Sequence, residues 1–154
     1  MQVGIRDGDV IISTGAVRRD GTSVRLIDIE YPAVAHYQVI HALLKACEEN
    51  GVKNPACGVT LTNANFYPGL IEDSMGTWME TGVIAVEMEL ATLLVMAGMR
   101  GLRAGGVLVS DGNLADEQPD AEMGDYAYDP HRDVVQHGVE KMLRIALDAL
   151  VALD

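Results

Sequence analysis

Val83-Ile84-Ala85-Val86-Glu87-Met88-Glu89-Leu90-Ala91-Thr92-Leu93-Leu94-Val95-Met96-Ala97-Gly98-Met99 decides how this chain is read. Val83 to Val86 reads as a short strand. Leu90 to Met99 is apolar nearly all round, which predicts a fully buried helix. Two carboxylates, Glu87 and Glu89, flank Met88 at the junction. Acids so close to an apolar helix are costly unless they are paired or hydrogen-bonded. A carboxylate there can cap the helix, which its N-terminus favours. It can equally accept hydrogen bonds from two vicinal hydroxyls of a sugar. The spacing alone favours one capping Glu and one solvent-exposed Glu.

Outward from this stretch, strands and helices alternate. Val10 to Ile12 is an apolar run entered from the turn signal Asp7-Gly8-Asp9 and predicts a buried strand. Arg18-Arg19-Asp20-Gly21 reads as a reversal into Thr22 to Ile29, a more polar strand-like run. Pro32 can open a helix, and Tyr37, Ile40, Leu44 and Cys47 recur at helical spacing until Gly51 stops it. Cys57 to Leu61 is β-like, and Thr62 to Gly69 is a polar and aromatic loop. Leu102 to Val109 reads as a strand and Gly112 to Pro130 as a long acidic loop without Lys or Arg. A last helix from about Asp133 carries Val135, Val139, Met142, Ala146 and Leu150 on one stripe. This order predicts an α/β domain with a mixed, mostly parallel central sheet flanked by helices. In such folds ligands gather at the carboxyl ends of the strands. Three polar clusters fall there: Thr62 to Tyr67, Glu87 to Glu89, and Ser110 to Asn113.

Length and charge narrow the function. The 154 residues suit one domain. With 49% hydrophobic content they can bury a core, although aromatics supply only 5%. Eleven Lys and Arg stand against 23 Asp and Glu, a net charge of −12. Such a chain is a poor grip for nucleic acid or an anionic membrane. No segment reads as a signal peptide or a membrane span, so a soluble cytoplasmic protein is expected. Two cysteines cannot build a disulfide framework, which fits a reducing compartment. The histidines show no convincing ligand spacing, and no metal or cofactor is expected.

Phe66, the chain's single Phe, sits among Asn63, Asn65, Tyr67, Pro68 and Gly69. It can stack on a flat base or simply close the core from a loop. Asp111 follows an apolar strand; it is either a general acid or a turn cap.

Taken together, the motifs resemble the nucleoside phosphorylase superfamily of uridine phosphorylase, hexameric bacterial purine nucleoside phosphorylase and methylthioadenosine nucleosidase. The matching segments are Gly8-Asp9-Val10, Ile29 to Ala35, Phe66-Tyr67-Pro68-Gly69, Val86 to Leu93, and Val109-Ser110-Asp111. The resemblance implies that Glu89, with Glu87 beside it, holds the ribose hydroxyls and that Met88 packs under the sugar. Phe66 would stack on the base, and Asp111 would protonate the purine ring. It implies phosphorolysis of a purine nucleoside, or second uridine, to free base and ribose 1-phosphate. Phosphate is then a co-substrate, no cofactor is needed, and a homo-oligomer is expected. The resemblance also places residues 1–154 as a single partial domain. It would be the C-terminal part of the family domain, without the N-terminal strands and their phosphate-binding glycine-rich loop, arginine and G-T-x-G turn. Two departures stand out. Leu70 to Val86 lacks the Gln and Arg of uridine phosphorylases, and Gly112 to His131 lacks the Arg that assists the purine-specific Asp. A nucleosidase, with water replacing phosphate, and a non-catalytic remnant are the alternatives.

An acid-rich surface with three Lys against eight Arg also suits a cytoplasm of high salt. A halophilic chain gains stability in molar KCl, whereas a merely acidic one does not. Unfolding midpoints measured across a KCl series separate the two.

Overall fold

The computed structural model describes residues 4–67, 69–70, 75–113 and 130–153. Pro68 of the Phe66–Gly69 segment and residues 114–129 of the acidic stretch lie outside the described residues. The elements are β1 (Val10–Arg19), β2 (Ala33–Val34), α1 (Tyr37–Glu49), β3 (Ala56–Asn63), α2 (Met75–Glu80), β4 (Ala85–Glu87), α3 (Leu90–Met99), β5 (Gly106–Val109) and α4 (Asp133–Val151). The sheet is mixed and mostly parallel, as the alternating pattern predicts. β3 pairs parallel with β1, from Ile11↔Ala56 to Arg19↔Asn63, and β4 pairs parallel with β3. The other edge of β1 takes two antiparallel partners: β5 beside Val10 to Ser13 and β2 beside Gly15 and Ala16.

A register shift between Ser13 and Gly15 bends β1 where its partner changes. Gly15 is required there. A Cβ would stand 2.8 Å from the Ala33 carbonyl oxygen of β2. Val10 and Ile12 point to one face, where Ala42, Leu43, Ala46 and Cys47 of α1 meet Ile145 and Ala149 of α4. Asn50 ties the two helices by donating to Asp148 at 2.8 Å. On the far part of the sheet, Leu90, Ala91, Leu94 and Val95 of α3 pack around Ala33.

Several sequence expectations change in the fold. Thr22 to Ile29 is not a strand but a single 3-10 turn, Ser23–Arg25, and a loop. Its carbonyls turn inward onto Arg18, whose guanidinium donates to Ile27 at 3.0 Å, Asp28 at 2.6 Å, Ile29 at 3.1 Å and also to Tyr31. Carbonyls spent on one side chain cannot build a ladder. Pro32 opens no helix. Ala33 and Val34 pair with β1 first, and α1 begins at Tyr37 behind its cap, His36, whose Nδ1 accepts from the Gln38 N–H at 3.3 Å. Tyr37, placed by its spacing on the core stripe, is 73% exposed.

Thr62 and Asn63 belong to β3, because β1 continues beside them as far as Arg19. α2 was not legible in the sequence. β5 is shorter than expected and half-buried along its length. Of the stripe assigned to α4, only Val135 is buried, and the buried row instead runs Val135, Gly138, Ile145, Ala149. α3 is not buried all round either. Leu93, Met96 and Met99 are exposed, since the sheet and the 3-10 turn cover one side of this helix. No helix among the described residues is long and apolar enough to cross a membrane.

Asp20 anchors the loop after β1. Its carboxylate accepts from the Ser23 N–H at 2.9 Å, the Ser23 hydroxyl at 2.8 Å and the Thr92 hydroxyl of α3. Burial pushes its pKa up, but the hydrogen bonds from Thr92 and Ser23 outweigh burial and hold it below the ordinary value. The folded value lies below the unfolded one, so the stabilisation is complete above the usual carboxylate range. It is lost as pH falls through the lowered folded value. Asp20→Asn should therefore lower the urea midpoint at neutral pH and flatten its decline below about pH 4. A mutant that keeps the wild-type acid slope would remove Asp20 from this role.

Candidate functional site

Thr62, at the end of β3, joins three elements. Its hydroxyl donates to Glu87 of β4 and accepts from the Ala91 N–H of α3 at 2.8 Å. Glu87 turns its other carboxylate oxygen to the start of α3 and accepts from the N–H groups of Glu89 at 2.8 Å and Leu90 at 2.6 Å. One acid of the pair is thus the helix cap. The other, Glu89, is exposed, and its side chain has no hydrogen bond or ion pair among the described residues. Met88 lies between them, 38% exposed.

Phe66 follows β3, is 47% exposed and meets Tyr67 edge to face at 5.1 Å. Beside it Asn63 is buried and donates to the Asn65 carbonyl at 2.9 Å, fixing the turn out of the strand. Asp111 comes from the other side. It follows β5, which runs antiparallel to β1, so this strand end lies beside Val10 rather than beside Asn63. The Gly8 N–H donates to the Ser110 carbonyl at 2.8 Å and the Ser110 N–H to Asp9 at 3.0 Å, strapping the turn before β1 onto the end of β5.

Phe66, Glu87, Met88, Glu89 and Asp111 all line one hollow of about 530 Å³. Ile11, Ala85 and Leu108 lie along it between the two groups of polar residues. This arrangement is an apolar slot with acceptor groups near its ends, suited to a flat ring carrying a hydroxylated appendage. None of the described residues that line it is Lys or Arg. Among the described residues, no group of three or more His, Cys, Asp or Glu is placed to hold a metal ion.

Sequence reasoning missed two residues here. Thr62 was assigned to a loop, although a hydroxyl directly at a strand end was its signal. Arg132 lies one residue beyond the Gly112 to His131 stretch. Its guanidinium donates to the Asp111 carbonyl at 3.1 Å and pairs with Asp7 at 2.6 Å. It thereby holds the Asp111 backbone between the first turn and the start of α4.

Comparison with known proteins follows the same lines. The family model described as "Phosphorylase superfamily" matches residues 1–152. A guanosine phosphorylase of Halorubrum lacusprofundi is 34% identical over 154 residues, covering 99% of this chain and 61% of that protein. A uridine phosphorylase of Escherichia coli is 38% identical over 138 residues, covering 79% of this chain and 53% of the relative. Among solved structures, the purine nucleoside phosphorylase of Toxoplasma gondii in complex with immucillin-H superposes with a TM-score of 0.82 at 26% identity, covering 97% of this chain and 58% of that one. The chain therefore spans little more than half the length of the relatives it matches. With that match along nearly all of its residues, this chain belongs to the phosphorylase superfamily.

Proposed function

We propose that this chain carries the nucleoside-binding half of a nucleoside phosphorylase site, with a purine nucleoside as first substrate and uridine as second. The observation that carries this reading is the single hollow shared by Phe66, Glu87, Met88, Glu89 and Asp111. Glu89 holds the ribose hydroxyls, and Met88 packs under the sugar. Phe66 stacks on the base, and Asp111 gives the departing purine its proton. Glycosidic cleavage builds positive charge on the sugar and negative charge on the base, so a nearby carboxylate and a proton donor both favour it. Glu87 contributes by position: its carboxylate is occupied by the start of α3 and so sets where Glu89 begins. Arg132 likewise fixes the backbone of Asp111.

Phosphate is the second substrate, and the reaction needs no cofactor. A slot with three carboxylates in its lining and no described cation attracts phosphate poorly. The isolated chain is therefore expected to be inactive, with the phosphate-binding groups supplied by the rest of the family domain. The same observation favours a second reading, a nucleosidase in which water attacks in place of phosphate. A cytoplasmic setting agrees with two free cysteines, Cys47 and Cys57. Assembly into a homo-oligomer is supported by the exposed Leu93, Met96 and Met99 of α3.

Product analysis tests the reaction. The chain alone, and the chain joined to the part of a relative's domain that it does not match, are incubated with inosine, guanosine or uridine. The extended protein should release ribose 1-phosphate only when phosphate is present. Free ribose without phosphate would instead establish hydrolysis, and robust phosphorolysis by the short chain would overturn the argument from charge. In the active form, Asp111→Asn should cut turnover on purine nucleosides by roughly 10²–10⁴-fold, the scale of general acid catalysis, with little change in ribose affinity. Equal activity would remove Asp111 from the mechanism.

The two glutamates should separate in the same background. Glu87→Ala loses a helix cap and should cost about 0.5–2 kcal/mol of stability. Glu89→Ala should leave the urea midpoint nearly unchanged and raise KM for the nucleoside. Matching stability losses in both variants would contradict this division of roles.

A further inference from the structure

Cys47 and Cys57 are the chain's two cysteines, and neither lines the hollow. Both belong to one face of the sheet. Cys57 of β3 is the register partner of Ile12 of β1, so their side chains leave the sheet on the same side. The neighbouring pair, Ile11 and Ala56, packs with Ile5 and Ala85 on the opposite side. Ile12 shares a core cluster with Cys47 of α1. Both cysteines therefore adjoin Ile12, one from the helix and one from the strand. The chain between them is short. α1 ends at Glu49, the Val52 N–H turns back to donate to the Cys47 carbonyl at 2.8 Å, and β3 opens at Ala56. Gly51 and Asn54, with φ of 76° and 53°, allow this tight reversal. Burial pushes both thiols up, and the Cys57 thiolate pushes Cys47 up further, an effect that requires the two sulfurs to be neighbours. Access divides them: Cys57 is exposed, whereas Cys47 is 0% exposed.

We propose that Cys47 and Cys57 form a reversible intrachain disulfide that staples the end of α1 to the start of β3. The oxidant is a small-molecule disulfide, and a neutral one is favoured because the chain carries a net charge of −12. Cys57 reacts first, since Cys47 is out of reach of a dissolved reagent. The Cys57 thiolate attacks one sulfur of the reagent, one thiolate of the reagent leaves, and Cys57 holds a mixed disulfide. Cys47 then loses its proton and attacks the Cys57 sulfur, releasing the reagent's second thiolate. The two protons lost by the protein pass to the two leaving thiolates. Two protein thiols are oxidised, and one reagent disulfide is reduced to two thiols. Thiols held protonated exchange slowly, so the pair answers a sustained shift of redox poise and not a brief one. The bond closes the connection between α1 and β3 into a ring, which removes loop entropy from the unfolded chain.

The test incubates the reduced 154-residue chain with bis(hydroxyethyl) disulfide. Thiols titrated in urea should fall from two to none. Mass spectrometry after non-reducing digestion should find a peptide that joins Cys47 to Cys57, and non-reducing electrophoresis should show a monomer. The melting temperature should rise by about 5–10 °C, the scale expected for a short ring in a domain of this size. Excess dithiothreitol should return it to the starting value. Cys57→Ser should leave Cys47 unmodified in the folded chain, and Cys47→Ala should stop at the mixed disulfide on Cys57. Cys57→Ser changes an exposed position, so it keeps the test open should Cys47→Ala fail to fold. A mixed disulfide that persists on Cys57 of the unaltered chain overturns the proposal, as does a dimer linked through Cys57. Reaction of Cys47 in folded Cys57→Ser overturns the order of attack. A bond that leaves the melting temperature unchanged overturns its role as a staple. No reading involves a nucleoside, so the outcome is independent of the function proposed above.

Discussion

The hydroxyl of Thr62 is the point on which the rest depends. It is fully buried, donates to Glu87 and accepts the Ala91 N–H. One side chain thus sets the end of β3, the end of β4 and the start of α3 relative to each other. A hydroxyl supplies both a donor and acceptor lone pairs, which is what a junction between a carboxylate and an amide requires. With Glu87 held, its second oxygen collects two N–H groups of α3. Glu89 is left at the rim without a structural task. The sequence of two acids around a methionine is therefore two different solutions to one electrostatic problem. One neutralises the helix terminus from within the fold, and the other faces the hollow.

The parts of the fold that were legible in the sequence are those where local pattern and tertiary packing agree. Leu90 to Met99 forms a helix with the predicted bounds, and Gly51 ends α1 at a positive φ of 76°. The strand cores around Val10, Val59 and Ala85 also agree. What failed depended on long-range partners. Nothing in Thr22 to Ile29 announces that Arg18, earlier in the chain, gathers its carbonyls. Nor does the text show that Ala33 and Val34 pair with β1 before the helix starts. Exposure is the other gap. A helix that is apolar all round reads as buried, yet burial requires neighbours on every side. α3 and α4 each lack described neighbours along one face.

The candidate site was legible in its residues more than in its geometry. Phe66, Met88, Glu89 and Asp111 stand out as chemistry at strand ends, and one hollow takes them all. Their arrangement could not be read in advance, because β5 runs antiparallel to β1. Asp111 thus lies at the start of β1, whereas Phe66 and Glu89 lie toward its end. The two groups share a hollow along an apolar floor of Ile11, Ala85 and Leu108, not across a single strand-end crevice. Arg132 escaped notice for a related reason. Its link to Asp111 crosses a gap of 21 residues that only the fold closes.

Apolar surface and three carboxylates coincide along one hollow whose described lining holds no Lys or Arg. The apolar floor of the hollow runs on through Val107, Leu108 and Val109 of β5 to Val139 and Met142 of α4. Covering that surface would desolvate the hollow, and desolvation strengthens each electrostatic interaction within it. It would also raise the cost of three nearby carboxylates unless cations came with the cover. A covering segment without basic residues would leave Glu89 and Asp111 competing against burial. A basic segment without an apolar face would not stay. Shape and charge thus impose a joint requirement on anything that would cover this surface.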